Sequence, residues 1–351
     1  QGTLYLTELN SDVKSVKGKP VKIWQGGFKN AHELGGGFGM EGSHMYRING
    51  KYYITCPAGG TGGWQICLRS DNIYGPYEHK LIMNDWSSYP KNGLHQGGMV
   101  QLKNGDWWFM IMQDRGPIGR VPCLVPVKWI DGWPMLGDEG KDLITYPKPA
   151  TGKKSKIKSP ATTDEFNASQ LGLQWQWNHN PDNSRWSLKE RKGYMRLYAS
   201  QASTLKDARN TLTQRVQGPS CEGSVEMEVT GLKDGNIAGF GIFEFPYAYV
   251  AIRQESGRRK IVMCNDGKDI ETVEHFNGDK LWIRVRATDK EFKALFYYSL
   301  DGVNYKRIGN ELQMGLGLPW TANRFALFNF NTTPQGNNGY ADFNWFRFTN
   351  K

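Results

Sequence analysis

The chain has 351 residues and a formal net charge of +10. That length suits two domains, each large enough for its own core, and no run is apolar enough to cross a membrane as a helix. The charge does not point to nucleic acid, because much of it lies in one proline-bearing stretch. Lys141, Lys148, Lys153, Lys154, Lys156 and Lys158 cluster there, which reads as a solvated connector, and no nucleic-acid-binding module is visible.

The first 115 residues repeat a strand, Asn-Gly turn, aromatic strand pattern. Two copies are complete. Residues 42–48 lead through Asn49-Gly50 into 51–55, and residues 98–103 lead through Asn104-Gly105 into 106–110. A shorter copy opens the chain, with Gln1-Gly2 at the turn and 3–7 as strand, so the chain is expected to begin inside a hairpin. Asn-Gly marks hairpins because both turn positions need positive φ. Turn glycines roughly 50 residues apart suggest propeller blades.

The first domain is expected over residues 1–136, followed by a linker at 137–160 carrying Pro147, Pro149 and Pro160. From 161 to 351 the texture becomes regular short strands, with expectations over 224–229, 239–245, 249–254, 260–264, 281–287, 294–299 and 324–330. Asp301-Gly302 signals a further hairpin. Helical periodicity fits almost nowhere. The expected fold class is all-β: a partial five-bladed β-propeller plus a C-terminal two-sheet jelly-roll sandwich. The five cysteines have no metal-site spacing. Cys56 and Cys67 could face each other across a hairpin, as a disulfide or as two reduced thiols.

Several joined strings resemble glycoside hydrolase family 43, the β-xylosidases and α-L-arabinofuranosidases. They are Met40-Glu41-Gly42-Ser43-His44, Leu94-His95-Gln96-Gly97-Gly98, the run from Gly119 through Arg120 to Trp129, and Asp131-Gly132-Trp133-Pro134. The later half is similar to the concanavalin-like sandwich of larger members, through Trp175-Gln176-Trp177, Ala208 to Arg215, Asn323 to Asn329, and Gly339 to Phe346.

The resemblance implies an inverting exo-glycosidase acting on xylo- or arabinoxylo-oligosaccharides, most closely a β-xylosidase. Such a reaction uses one carboxylic acid for the leaving oxygen and one carboxylate base for water. The resemblance places the acid on Glu41, which Phe38 and Met40 are expected to desolvate in part. The family proline after Glu-Gly is replaced by Ser43. The base and a pKa-modulating aspartate are expected upstream of Gln1, and two further blades are expected in a missing N-terminal propeller segment. Asp12, Asp71, Asp85, Asp106 and Asp114 occupy no matching string.

His95 is implied as a site-supporting residue and, through water, as a contact to a possible structural Ca²⁺; no other cofactor is expected. Arg120 matches the family's active-site arginine, with Arg115 as competitor. Trp64 and Trp86 are candidates to stack on sugar, and Trp320 to close the pocket from the sandwich. His44, three residues after Glu41, reads as support. The resemblance favours a secreted or periplasmic parent protein. Two rival readings are a carbohydrate-binding chain, with Trp175, Trp177 and Trp186 forming one platform, and a catalytically incomplete fragment.

Overall fold

The structure, a computed structural model, describes all residues except 1, 26–39, 61–62, 86–92, 143–144, 151, 153–155, 157, 316–320, 335 and 351. The described residues contain no α-helix. The chain divides into two compact units. The first comprises Gln1–Arg115 with Arg120–Ser155, and the second Gly116–Gly119 with Lys156–Lys351.

The first unit opens with β1 (Thr3–Leu9) and β2 (Val16–Gln25), an antiparallel pair. Next come β3 (His44–Ile48), β4 (Lys51–Ala58), β5 (Trp64–Ser70) and β6 (Glu78–Met83), a four-stranded sheet in sequence order. A second such sheet follows: β7 (His95–Gln101), β8 (Trp107–Asp114), β9 (Arg120–Ile130) and β10 (Trp133–Leu136). Two four-stranded meanders and a two-stranded piece have the form of blades. The described residues do not close a five-bladed ring, so the propeller expectation reduces to blades.

Strand alternation decides which face each residue buries. In the first meander Tyr53, Cys67, Ile82 and Met83 pack against Phe109, Ile111, Val125 and Val127 of the second. The opposite face carries Ile54, Cys56, Ile66 and Leu68, against Ile23 and the half-buried Leu4, Leu6 and Trp24 of the hairpin. Each such side chain contributes about 1.5–3 kcal/mol when fully buried. Cys56 and Cys67 therefore lie on opposite faces, and all five cysteines are free thiols. The disulfide alternative is thereby removed.

The two Asn-Gly turns differ. Asn49 and Gly50 both have positive φ, 49° and 84°, as a two-residue hairpin turn requires. At the second, Gln101 pairs with Trp107 and the loop is wider. The Leu102 N–H donates to the Asp106 carbonyl at 2.8 Å, and Asn104 Oδ1 accepts from the Asp106 N–H at 3.2 Å. The Asn104 side chain thus holds the turn that its backbone was expected to make.

The second unit builds two sheets from short early strands β11 (Gln176–Trp177), β12 (Trp186–Ser187), β13 (Met195–Tyr198), β14 (Ser200–Gln201) and β15 (Leu212–Arg215) and longer later ones. The latter are β16 (Ser220–Glu228), β17 (Asn236–Phe243), β18 (Ala248–Glu255), β19 (Arg258–Asn265), β20 (Lys268–Val273), β21 (Lys280–Thr288) and β22 (Lys293–Ser299). Two brief strands, β23 (Lys306–Arg307) and β24 (Leu312–Gln313), precede β25 (Arg324–Asn331) and β26 (Tyr340–Asn350). Among the described residues each sheet has eight strands. One runs β11-β15-β25-β17-β18-β19-β20 with β14 beside β25. The other runs β12-β13-β26-β16-β21-β22-β23 with β24 beside β22. Phe240, Phe296, Phe325 and Phe346 fill the space between them, all fully buried. The Asp301-Gly302 hairpin forms, with Tyr298 paired to Lys306.

Candidate active site

The opening ends of the two meanders bring the site residues together. Each odd-numbered strand begins at that end: Glu41 leads into β3, Trp64 opens β5, His95 opens β7 and Arg120 opens β9. Asp114 closes β8 and pairs in register with Arg120. Glu41 is exposed, and the partial desolvation expected of it is not seen. Met40 packs half-buried against the first meander's core. Phe38 lies outside the described residues.

His95 is buried at 3% exposure. Its Nδ1 lies 3.0 Å from the Gly93 carbonyl, and its Nε2 lies 3.5 Å from an Asp114 carboxylate oxygen. Burial pushes the imidazole below its ordinary range. The Gly93 carbonyl and the Asp114 carboxylate oppose this, Arg120 reinforces it, and the charge of Glu41 favours the protonated ring. Glu41 thus stands within electrostatic reach of His95. Arg120 Nε is 3.4 Å from the other Asp114 oxygen. The competing Arg115 is engaged elsewhere, donating to Gln113 Oε1 at 2.7 Å.

The Ca²⁺ contact implied for His95 would run through water. Both ring nitrogens face protein acceptors, and the nearby carboxylate of Asp114 already faces a guanidinium. Calcium takes six to eight oxygens. No group of three or more His, Cys, Asp or Glu able to hold a metal occurs among the described residues.

Asp114 matches no family string, so the resemblance does not mark it. A signal was nevertheless present: Asp114 and Arg120 flank Gly116-Pro117 and Gly119, a spacing at which a hairpin sets opposite charges face to face. His44 is exposed and lies beside Gly98 of β7. Trp64, expected to stack on sugar, is instead buried at 4% exposure, packed in the first meander's core with its ring over Gly59. Trp86 and Trp320 lie outside the described residues.

The tryptophan platform of the binding-module reading does not form. Trp175 is a core residue, stacked 5.7 Å from Phe166 and donating from Nε1 to Asp164 at 2.8 Å. Trp177 and Trp186 pack on each other at 5.2 Å and against the sandwich core. The half-buried Asp164 that receives the Trp175 indole N–H is a partner the sequence does not reveal.

An exposed carboxyl, a buried histidine and an Asp114–Arg120 ion pair thus meet at the strand-opening end of the β-blades. Residues 1–134 match the model for glycosyl hydrolases family 43, and residues 163–349 match the β-xylosidase C-terminal concanavalin A-like domain. The chain belongs to glycosyl hydrolases family 43. It is 32% identical over 362 residues to a β-xylosidase of Formosa agariphila, covering 89% of this chain and 60% of that protein. It is 34% identical over 290 residues to a putative β-xylosidase of Xylanibacter ruminicola, covering 79% of this chain and 52% of that one. The chain therefore spans less than two thirds of either relative. Among solved structures, a bifunctional GH43-CE protein of Bacteroides eggerthii matches with 38% identity and a TM-score of 0.87, over 100% of this chain and 46% of that one. No described helix is long and apolar enough to cross a membrane.

Proposed function

We propose that the protein is an inverting exo-glycosidase that releases xylose or arabinose from xylan-derived oligosaccharides, with xylosides favoured, and that Glu41 is its general acid. The observation that carries this is the exposed Glu41 carboxyl ahead of β3, within electrostatic reach of the buried His95. The printed names of the relatives support it: β-xylosidases predominate, and a non-reducing-end α-L-arabinofuranosidase of Bacteroides ovatus is 28% identical over 89% of this chain.

In this reading Glu41 delivers its proton to the glycosidic oxygen as the bond to the anomeric carbon breaks. Arg120, steadied by Asp114, offers its guanidinium to a sugar hydroxyl. His95, kept neutral by burial, forms the wall of the site. Inversion requires a second carboxylate roughly 6.5–9.5 Å from the acid, to deprotonate water on the opposite face. No residue of this chain is assigned that role.

The test uses the whole protein and Glu41→Gln. General-acid loss lowers kcat on natural xylosides by about 10²–10⁴-fold. An aryl xyloside with a good leaving group needs less protonation and loses much less. An equal, mild loss on both substrates would show that Glu41 is not the acid.

A further inference from the structure

We propose that Gln65, a buried glutamine of the first meander, is a positioning residue that sets the spacing between Glu41 and His95; this rests on the functional reading of those two residues. Gln65 lies on β5, next to its opening residue Trp64, and is fully buried. Its Oε1 accepts the backbone N–H of Gln96 at 2.8 Å, reaching from one meander into the other. That N–H belongs to an irregular piece of β7. The ladder slips between His95 and Gly97, and Gln96 has φ of +57°, in the left-handed region that an ordinary side chain rarely occupies. A strained residue of this kind persists when its surroundings over-determine it, and the Gln65 acceptor does so.

The bulge controls both neighbours. On one side His95 is fixed at its distance from Asp114, with its ring against Gly63, where a Cβ would stand 2.8 Å from His95 Cδ2. On the other, the Gln96 side chain lies over Gly42, where a Cβ would stand 2.8 Å from Gln96 Nε2. Gly42 is the residue after Glu41. A shift of Gln96 therefore moves the acid's backbone and the histidine together. Farther along, the Met99 N–H donates to the Tyr46 hydroxyl at 2.9 Å, so β3 and β7 are already tied below the bulge. Gln65 fixes the part above.

Stability alone does not account for a glutamine here. Among the described residues Gln65 Nε2 is buried with no hydrogen-bond partner, and so is Thr55 Oγ1. Register and alternation put the two on the same face, since Pro57 pairs with Gln65 and Thr55 with Cys67. A buried unsatisfied amide is unfavourable, and an apolar side chain of the same length avoids the penalty. The residue gives up stability and holds one backbone N–H.

In the whole protein, Gln65→Met fills the same space and removes the acceptor. The expected result is faster deuterium exchange at the Gln96 amide, a Tm equal to or above that of the unaltered protein, and kcat on xylobiose reduced roughly 10- to 100-fold with little change in KM. Gln65→Glu keeps an acceptor and restores both the protection of Gln96 and most of kcat. Unchanged exchange at Gln96, or unchanged kcat despite faster exchange, overturns the proposal. So does an activity loss that follows a falling Tm and is not rescued by Gln65→Glu. Should the unaltered protein cleave neither xylosides nor arabinosides, the functional reading fails. The exchange and Tm measurements then still decide whether Gln65 holds the bulge.

Discussion

The two units bury their polar groups differently. In the sandwich the buried charges are paired within a sheet: Asp342 accepts from Arg196 Nε at 2.8 Å and lies 3.1 Å from Arg191, which also reaches Glu228. In the blade unit the buried Gln65, His95 and Asp114 gather at the strand-opening end, beside a strained bulge at Gln96. The blade unit thus concentrates these polar groups at the end where the chemistry is proposed, whereas the sandwich pairs Asp342 and Glu228 with arginines.

The sharpest separation should come from the sandwich core. Phe240 is fully buried, stacked 5.7 Å from Phe325 and 5.9 Å from Phe346. Phe240→Ala removes a ring that close-packed neighbours cannot replace, at about 3–5 kcal/mol. Urea unfolding followed by tryptophan fluorescence measures it. A loss below about 1 kcal/mol would mean that the core collapses onto the gap and is less rigidly packed than its contacts imply.

Much of this division is legible in the sequence. Alternating strands such as 281–287 and 324–330 announce themselves because the sandwich core is regular, and the family strings mark Glu41, His95 and Arg120. What escapes depends on long-range partners. Asp114 matters because a turn folds it back onto Arg120, and Trp64 is buried because Gly59 leaves room for its ring. Trp175 is core because Asp164, eleven residues earlier, receives its indole N–H. Asn104-Gly105 looks identical to Asn49-Gly50, yet side-chain hydrogen bonding selects another turn. Local chemistry proposes the elements; the packing that closes each polar end is not local.

A smaller effect tests how firmly the two meanders are joined. The Tyr53 hydroxyl donates to the Gly132 carbonyl at 3.0 Å, across the face where they pack. Tyr53→Phe deletes this bond and keeps the ring, which also meets Trp129 edge-on at 5.4 Å. Arg69 Nη1 still lies 3.2 Å from the same carbonyl, so the acceptor is not orphaned. A net loss of about 0.5–1.5 kcal/mol is expected, toward the low end. Thermal unfolding checks it. A loss of several kcal/mol would show that the blade interface relies on polar ties as the sandwich does, and the contrast between the units would weaken.

The smallest expected effect falls on Glu244, a buried carboxyl of the sandwich that lacks the arginine partners of Asp342. Glu244 is 2% exposed and accepts a hydrogen bond from the Thr321 hydroxyl, without an ion-pair partner within contact distance among the described residues. Burial raises its carboxyl above the ordinary glutamate range, against the hydrogen bond from Thr321 and the more distant charge of Arg324. An acid whose folded-state pKa is raised binds its proton more tightly in the folded chain than in the unfolded one. Its contribution is therefore fully present below the unfolded value and is lost as pH rises through the folded value. Glu244→Gln keeps an acceptor for Thr321 and cannot ionise. It should raise Tm slightly at neutral pH, leave Tm nearly unchanged in acid, and flatten the decline between those limits. Thermal melts of both proteins across that range read the difference directly. A variant that is less stable at neutral pH would show that Glu244 is held as an anion by its surroundings, against the direction that burial imposes.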